Sequence, residues 1–128
     1  MERRYLHPFK THRLPHVVTD VLIIGKKCAP CEGGLMPLQA DEIKQLLASV
    51  PDWRVHDGVL MREFEFLNFH QTMAFVNAVA WLANLENHHP DMEVSYSRVN
   101  IRYVTHAING LSPNDFICAA KINAMLAL

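Results

Sequence analysis

From Asn68 to Glu86 the chain runs nineteen residues without proline or glycine and sets Phe75, Ala78, Val79, Leu82 and Leu85 at helical intervals. This spacing predicts a long helix with a wide apolar stripe, which needs a second layer to cover it. The flanking sequence supplies that layer. Asp41 to Leu47 has helical spacing with its acids leading, and it stops before Pro51. Trp53 to His56 and Val59 to Phe66 flank Asp57-Gly58, a dipeptide whose tolerance of positive φ suits a tight hairpin turn. Met92 to Tyr96 and Val99 to Thr105 read as two further strands, the second alternating Val99, Ile101 and Tyr103 with Asn100 and Arg102. Ser112-Pro113-Asn114-Asp115 opens a last helix with a cap hydroxyl, a proline in the first turn and a carboxylate at the third helical position. This order predicts an α+β two-layer sandwich, a four-stranded antiparallel sheet with three helices packed on one face. Trp81, Met73 and the Phe75 stripe are assigned to its core. The other sheet face, or an edge strand, is left for self-association, which predicts a homo-oligomer.

With 128 residues, half of them apolar, the chain can bury roughly two-thirds of its unfolded surface and fold as one domain without covalent staples. A net charge of −1 gives no reason to expect nucleic-acid binding, and no stretch approaches the roughly 18 uninterrupted apolar residues of a membrane span. Cys28, Cys31 and Cys118 are too few, and odd in number, for a disulfide framework, so a reducing compartment fits and the cytoplasm is the expected location. Residues 1–27 stand apart, with six basic residues against two acidic ones. They lack clear periodicity, although Val21 to Ile24 suits a short strand, and they contain no serine, which favours a solvated basic extension over a transit sequence. Residues 28–128 form the expected folded domain.

The chemistry concentrates where the long helix ends. In Asn87-His88-His89-Pro90-Asp91, Pro90 disfavours helical backbone at His89 and so holds two imidazoles on a bend. His106 closes the last strand and Asp115 stands at a helix start, positions that commonly gather at one rim. Histidine, with an unperturbed pKa of about 6.5, gives and takes protons near neutrality, so three on one rim make a general acid–base site. Each residue also has a plainer reading. His88 and His89 suit the carboxyl end of a helix dipole, Asp115 completes a capping box with Ser112, and His106 fits a solvated edge position. Zinc is a rival, but adjacent residues such as His88 and His89 tend to point apart and the usual two-histidine helical spacings are missing, so no metal is expected. Cys28 and Cys31 have the spacing of a zinc knuckle or redox pair without a second pair, and they read as a turn that contains cysteines; Cys118 falls in an amphipathic helix.

ENHHPD at 86–91, the aromatic Tyr96, THAINGLSPND at 105–115 and FICAAKI at 116–122 together closely resemble the pterin-4a-carbinolamine dehydratase family, also called 4a-hydroxytetrahydrobiopterin dehydratases. The resemblance covers residues 28–128 and includes a Cys-x-x-Cys-x-Gly-Gly lead-in similar to that of bacterial members. Residues 1–27 lie outside it.

The resemblance implies a lyase that converts the 4a-hydroxy-tetrahydropterin left by an aromatic amino acid hydroxylase to quinonoid dihydropterin and water, recycling the pterin. It implies no redox cofactor and no metal, pterin being the substrate, a hydroxylase as partner, and assembly as a homodimer or homotetramer. Carried over residue by residue, the catalytic histidines are His88, His89 and His106. The pterin-contacting residues are Asn87, His88, His89, Val104, Thr105, His106 and Ala107, with Pro90 and Asp115 in support. One departure concerns the acidic residue that many members have four positions before the first histidine; here that position is Asn84, and Glu86 lies two positions before it. A helical turn separates those directions, so Glu86 is no substitute and the hydrogen-bond support of the histidines is expected to differ. Loss of water requires a proton delivered to the departing oxygen and one removed from N5, with His89 or His106 as acid and His88 as base or pterin anchor. The alternatives are a catalytically silent module that keeps the fold to bind a partner, and a metal-dependent hydrolase.

Overall fold

The computed structural model describes residues 23, 25–30 and 36–127. Residues 1–22, Cys31 and Gly33-Gly34 lie outside the described residues, and so does the strand suggested for residues 21–24 except for Ile23, which is helical and packs against the core.

Helix α1 (Ala40–Leu47) starts from a capping box in which the Glu42 carboxylate accepts from the Gln39 backbone N–H at 2.8 Å. It lies at the margin of the core, with Ile43, Leu46 and Leu47 half-buried. Strand β1 (Arg54–His56) and strand β2 (Val59–Glu65) are joined by Asp57 at φ 52° and Gly58 at φ 76°, two successive left-handed residues that make the expected hairpin turn. Helix α2 (Phe69–Glu86) begins at Asn68, whose side chain accepts from the Gln71 N–H. Strands β3 (Asp91–Val94) and β4 (Arg98–Tyr103), a single 3₁₀ turn at His106–Ile108 and helix α3 (Pro113–Leu126) complete the order. The sheet runs β1-β2-β4-β3, antiparallel throughout. This is the α+β sandwich expected from the sequence.

Register decides which side chains meet the helices. Leu60 and Phe64 pair with Tyr103 and Val99, and with Ile101 they form the sheet's share of the core. Phe75, Val79 and Leu82 of α2 and Phe116, Ala119 and Ile122 of α3 complete it. The other face carries Glu63, Glu65, Glu93, Arg98 and Arg102, joined by ion pairs such as Arg98–Glu65 at 3.2 Å and Arg102–Glu93 at 3.1 Å. The face that the helices leave open is therefore polar.

Two side chains assigned to the core stand outside it: Trp81 is 66% exposed and Leu85 is 54% exposed. The buried stripe of α2 runs through Thr72, Phe75, Val79, Leu82 and Glu86. At about 100° per residue, Trp81 falls roughly 140° from the middle of that stripe and Leu85 roughly 100°. An apolar residue at a broadly helical interval is thus not always on the covered side. Helix α3 errs the other way, being buried without a break from Asn114 to Ala120 and so enclosed more completely than an amphipathic helix.

Candidate active site

Helix α2 ends earlier than Pro90 requires. Asn87 takes a left-handed conformation at φ 51°, its N–H reaches the Asn84 carbonyl, and the His88 N–H reaches the Ala83 carbonyl at 3.1 Å. This is a Schellman closure, in which two of the helix's last carbonyls are satisfied by the residues that leave it. The bend carrying the histidines is therefore made by Asn87, and Pro90 serves to hand the chain to β3 at Asp91. His106 is also placed differently from the expectation, since β4 stops at Tyr103 and His106 opens the 3₁₀ turn. The Thr105 N–H bonds the Gly110 carbonyl at 2.9 Å, pinching residues 106–109 into a tight loop that breaks the strand. Gly110 is required there because a Cβ would lie 2.7 Å from the Pro37 side chain.

These two turns face each other across a cleft of about 430 Å³. Asn87, His88, His89, Val104, Thr105, His106 and Ala107 all line it, so the fold brings together every residue expected to contact a pterin. Asp115 is fully buried behind His88, and Pro90 stands beside the site without lining it.

His88 is the most constrained of the three histidines. Its Nε2 lies 2.6 Å from Asp115 Oδ1, and its ring stacks on Tyr103 at a centroid distance of 5.7 Å and an interplanar angle of 7°. The second Asp115 oxygen accepts from Thr105 Oγ1 at 2.9 Å and from the Ser112 backbone N–H at 3.0 Å. Asp115 therefore completes the capping box of α3 and orients an imidazole at once, one oxygen for each task. Burial works against the imidazolium of His88, but the hydrogen bond and charge of Asp115 outweigh it, and the proton affinity of His88 rises above its ordinary value.

His89 and His106 are exposed. His89 Nε2 meets the Asn84 side-chain oxygen at 3.1 Å, so the position that departs from the family pattern supports the second histidine of the pair. With an amide oxygen as partner, Nε2 carries the proton and Nδ1 of the neutral ring is the acceptor.

Five lining residues were not foreseen as part of the site: Cys28, Ala29, Pro30, Glu86 and Asn114. The three from the lead-in form one wall. Asn114 clamps it by accepting from the Ala29 N–H at 3.0 Å and donating to the Ala29 carbonyl at 2.6 Å. Glu86 accepts from the Cys28 N–H at 3.0 Å and from Lys121 at 2.6 Å. Burial opposes the Glu86 charge, but these two hydrogen bonds prevail and hold its carboxyl below the usual range. The only sequence signal for this wall was the Cys-x-x-Cys-x-Gly-Gly lead-in, and nothing in its spacing pointed to α2 or α3.

Fold and cleft define a small α+β protein with a histidine-lined site for a small molecule. Comparison with known proteins makes that class specific, because the model of the family described as pterin 4 alpha carbinolamine dehydratase matches residues 36–125. The chain belongs to this family. A relative from Nitrosomonas eutropha is 53% identical over 105 residues, covering 81% of this chain and 93% of the relative, and one from Legionella pneumophila (strain Lens) is 51% identical over 105 residues, covering 80% and 93%. Both carry the name pterin-4-alpha-carbinolamine dehydratase provisionally. A crystal structure described as a transcriptional coactivator/pterin dehydratase from Brucella melitensis shares 30% identity with a TM-score of 0.67, covering 72% of this chain and 99% of that one. Among the described residues, no helix is long and apolar enough to cross a membrane.

Proposed function

We propose that the chain dehydrates a 4a-hydroxy-tetrahydropterin to the quinonoid dihydropterin in this cleft, using its three histidines. The observation that carries the reading is His88 held 2.6 Å from a fully buried Asp115 in a cleft shared with His89 and His106. The reaction is redox-neutral. The C4a–O bond breaks as the departing oxygen takes a proton and leaves as water, while the N5–H proton is removed and its electron pair forms the N5–C4a double bond.

The surroundings of each histidine suggest a division of labour. His88 favours its protonated form and has Nε2 committed to Asp115, which suits it to anchor the pterin through Nδ1 better than to act as base. His89 offers the acceptor nitrogen set by Asn84 and takes the N5 proton. His106 delivers a proton to the departing hydroxyl. No cofactor or metal is needed in this scheme, and Thr105 supports His88 through Asp115, which accepts from its hydroxyl. An aromatic amino acid hydroxylase supplies the substrate, and the working assembly is a homodimer or homotetramer, a point that light scattering checks.

The test is conversion of 4a-hydroxy-tetrahydropterin by the native chain, His89→Ala and His106→Ala, each against the uncatalysed rate and from pH 5 to 9. The expected outcome is a bell-shaped native profile and a loss of about 10²- to 10⁴-fold in each variant. A native chain no faster than buffer would transfer the role of the fold to partner binding.

A further inference from the structure

We propose that Cys28 and Cys118 are a modification site, a thiol pair that a peroxide converts to a disulfide, stapling the lead-in wall of the cleft to α3. The inference stands whether or not the cleft dehydrates a pterin. The two sulfurs are 3.7 Å apart although ninety positions separate them in the sequence. Cys28 lines the cleft and is half-buried, so a small oxidant reaches it from the ligand side, whereas Cys118 is fully buried in α3. The placement of Cys28 does not depend on the sulfur contact. Its backbone N–H is held by Glu86, and the next residue is held on both its N–H and its carbonyl by Asn114. The Cys28 thiol also lies 3.7 Å from the Asn114 carbonyl, at the entry of α3. A disulfide of about 2.05 Å therefore needs a closure of under about 2 Å between groups already aimed at each other.

The chemistry balances with one peroxide. The Cys28 sulfur attacks a peroxide oxygen, the O–O bond breaks, one water leaves and Cys28 becomes a sulfenic acid. The Cys118 sulfur then attacks the Cys28 sulfur, the S–S bond forms, the S–O bond breaks, and the hydroxyl leaves with the Cys118 proton as a second water. Two thiols lose two electrons and one peroxide gains them. The hydrogen bond to Cys118, followed by burial, pushes the Cys28 thiol up, so Cys28 rests as a thiol and its oxidation is slow.

The experiment treats the full chain, reduced and desalted, with hydrogen peroxide, digests it without reductant and identifies the cysteine peptides by mass. The expected product joins the peptides containing Cys28 and Cys118 and is two hydrogens lighter than their sum. The cross-link closes a long loop, so Tm rises by roughly 5 °C or more and falls back on adding reductant. Cys28→Ser abolishes both effects, Cys31→Ser keeps both, and Cys118→Ala leaves a sulfenic acid at Cys28 that dimedone traps. A bond between Cys28 and Cys31, a disulfide between chains, or over-oxidised Cys28 with Cys118 still a free thiol would each overturn the proposal.

Discussion

His88 meets a fully buried carboxylate at 2.6 Å and a parallel tyrosine ring at 5.7 Å, whereas His89, one residue on, is exposed and touches the neutral amide of Asn84 at 3.1 Å. The difference comes from the backbone. The Schellman closure turns the chain at Asn87, and consecutive residues leaving it face opposite ways, one toward α3 and one back along α2. Adjacent histidines thus acquire unlike partners, a buried carboxylate for one and a neutral amide for the other.

The contrast is broken most severely by removing the carboxylate. Asp115→Ala is expected to destabilise the fold by about 3 kcal/mol, because it takes the carboxylate partner from the half-buried His88 imidazole and the acceptor from the buried Ser112 N–H. Urea denaturation measures this, and a cost below about 1 kcal/mol would mean that Asp115 holds nothing together.

A smaller effect separates the two histidines by pH. Because the folded pKa of His88 is raised, its stabilising share is fully present below the unfolded value of 6.5 and is lost as pH rises through the higher folded value. The denaturation midpoint should therefore fall across that window in the native chain. The fall should disappear in His88→Gln and persist in His89→Gln. A native slope unchanged by His88→Gln would remove the pairing from the account.

The smallest change sharpens the comparison from the other side. Asn84→Asp places a carboxylate where the amide now meets His89 and should strengthen that hydrogen bond, which a change in the His89 ring-proton NMR shifts would register. Ring-proton shifts unmoved by the substitution would place Asn84 out of reach of the ring in solution.

The legible parts of this chain were those written in short-range chemistry. Asp57-Gly58 specified a hairpin because few residues tolerate two successive left-handed positions, and Ser112-Pro113-Asn114-Asp115 specified a helix start because its groups satisfy the first free N–H donors. Alternation in β4 placed Val99, Ile101 and Tyr103 inside, where all three are fully buried. Trp81 and Leu85 were misplaced because a count of apolar residues at roughly helical intervals ignores the drift around the helix axis. The bend was attributed to Pro90 because proline is visible in a sequence, while the left-handed backbone of Asn87 is decided by hydrogen bonds to Ala83 and Asn84 that only the finished helix provides.

By itself the sequence determined the elements, their order, the family and the histidines that line the cleft, because turns, caps and periodicity act over a few residues and a family pattern is carried by residue identities. Tertiary structure decided what those histidines are beside. It set Asp115 against His88 and Asn84 against His89, brought Glu86 and Asn114 onto the lead-in wall, and put Cys28 3.7 Å from Cys118. These contacts join residues that the chain separates by 5 to 90 positions. Proton affinity and thiol chemistry depend on distances of a few ångströms, which spacing along a chain does not encode.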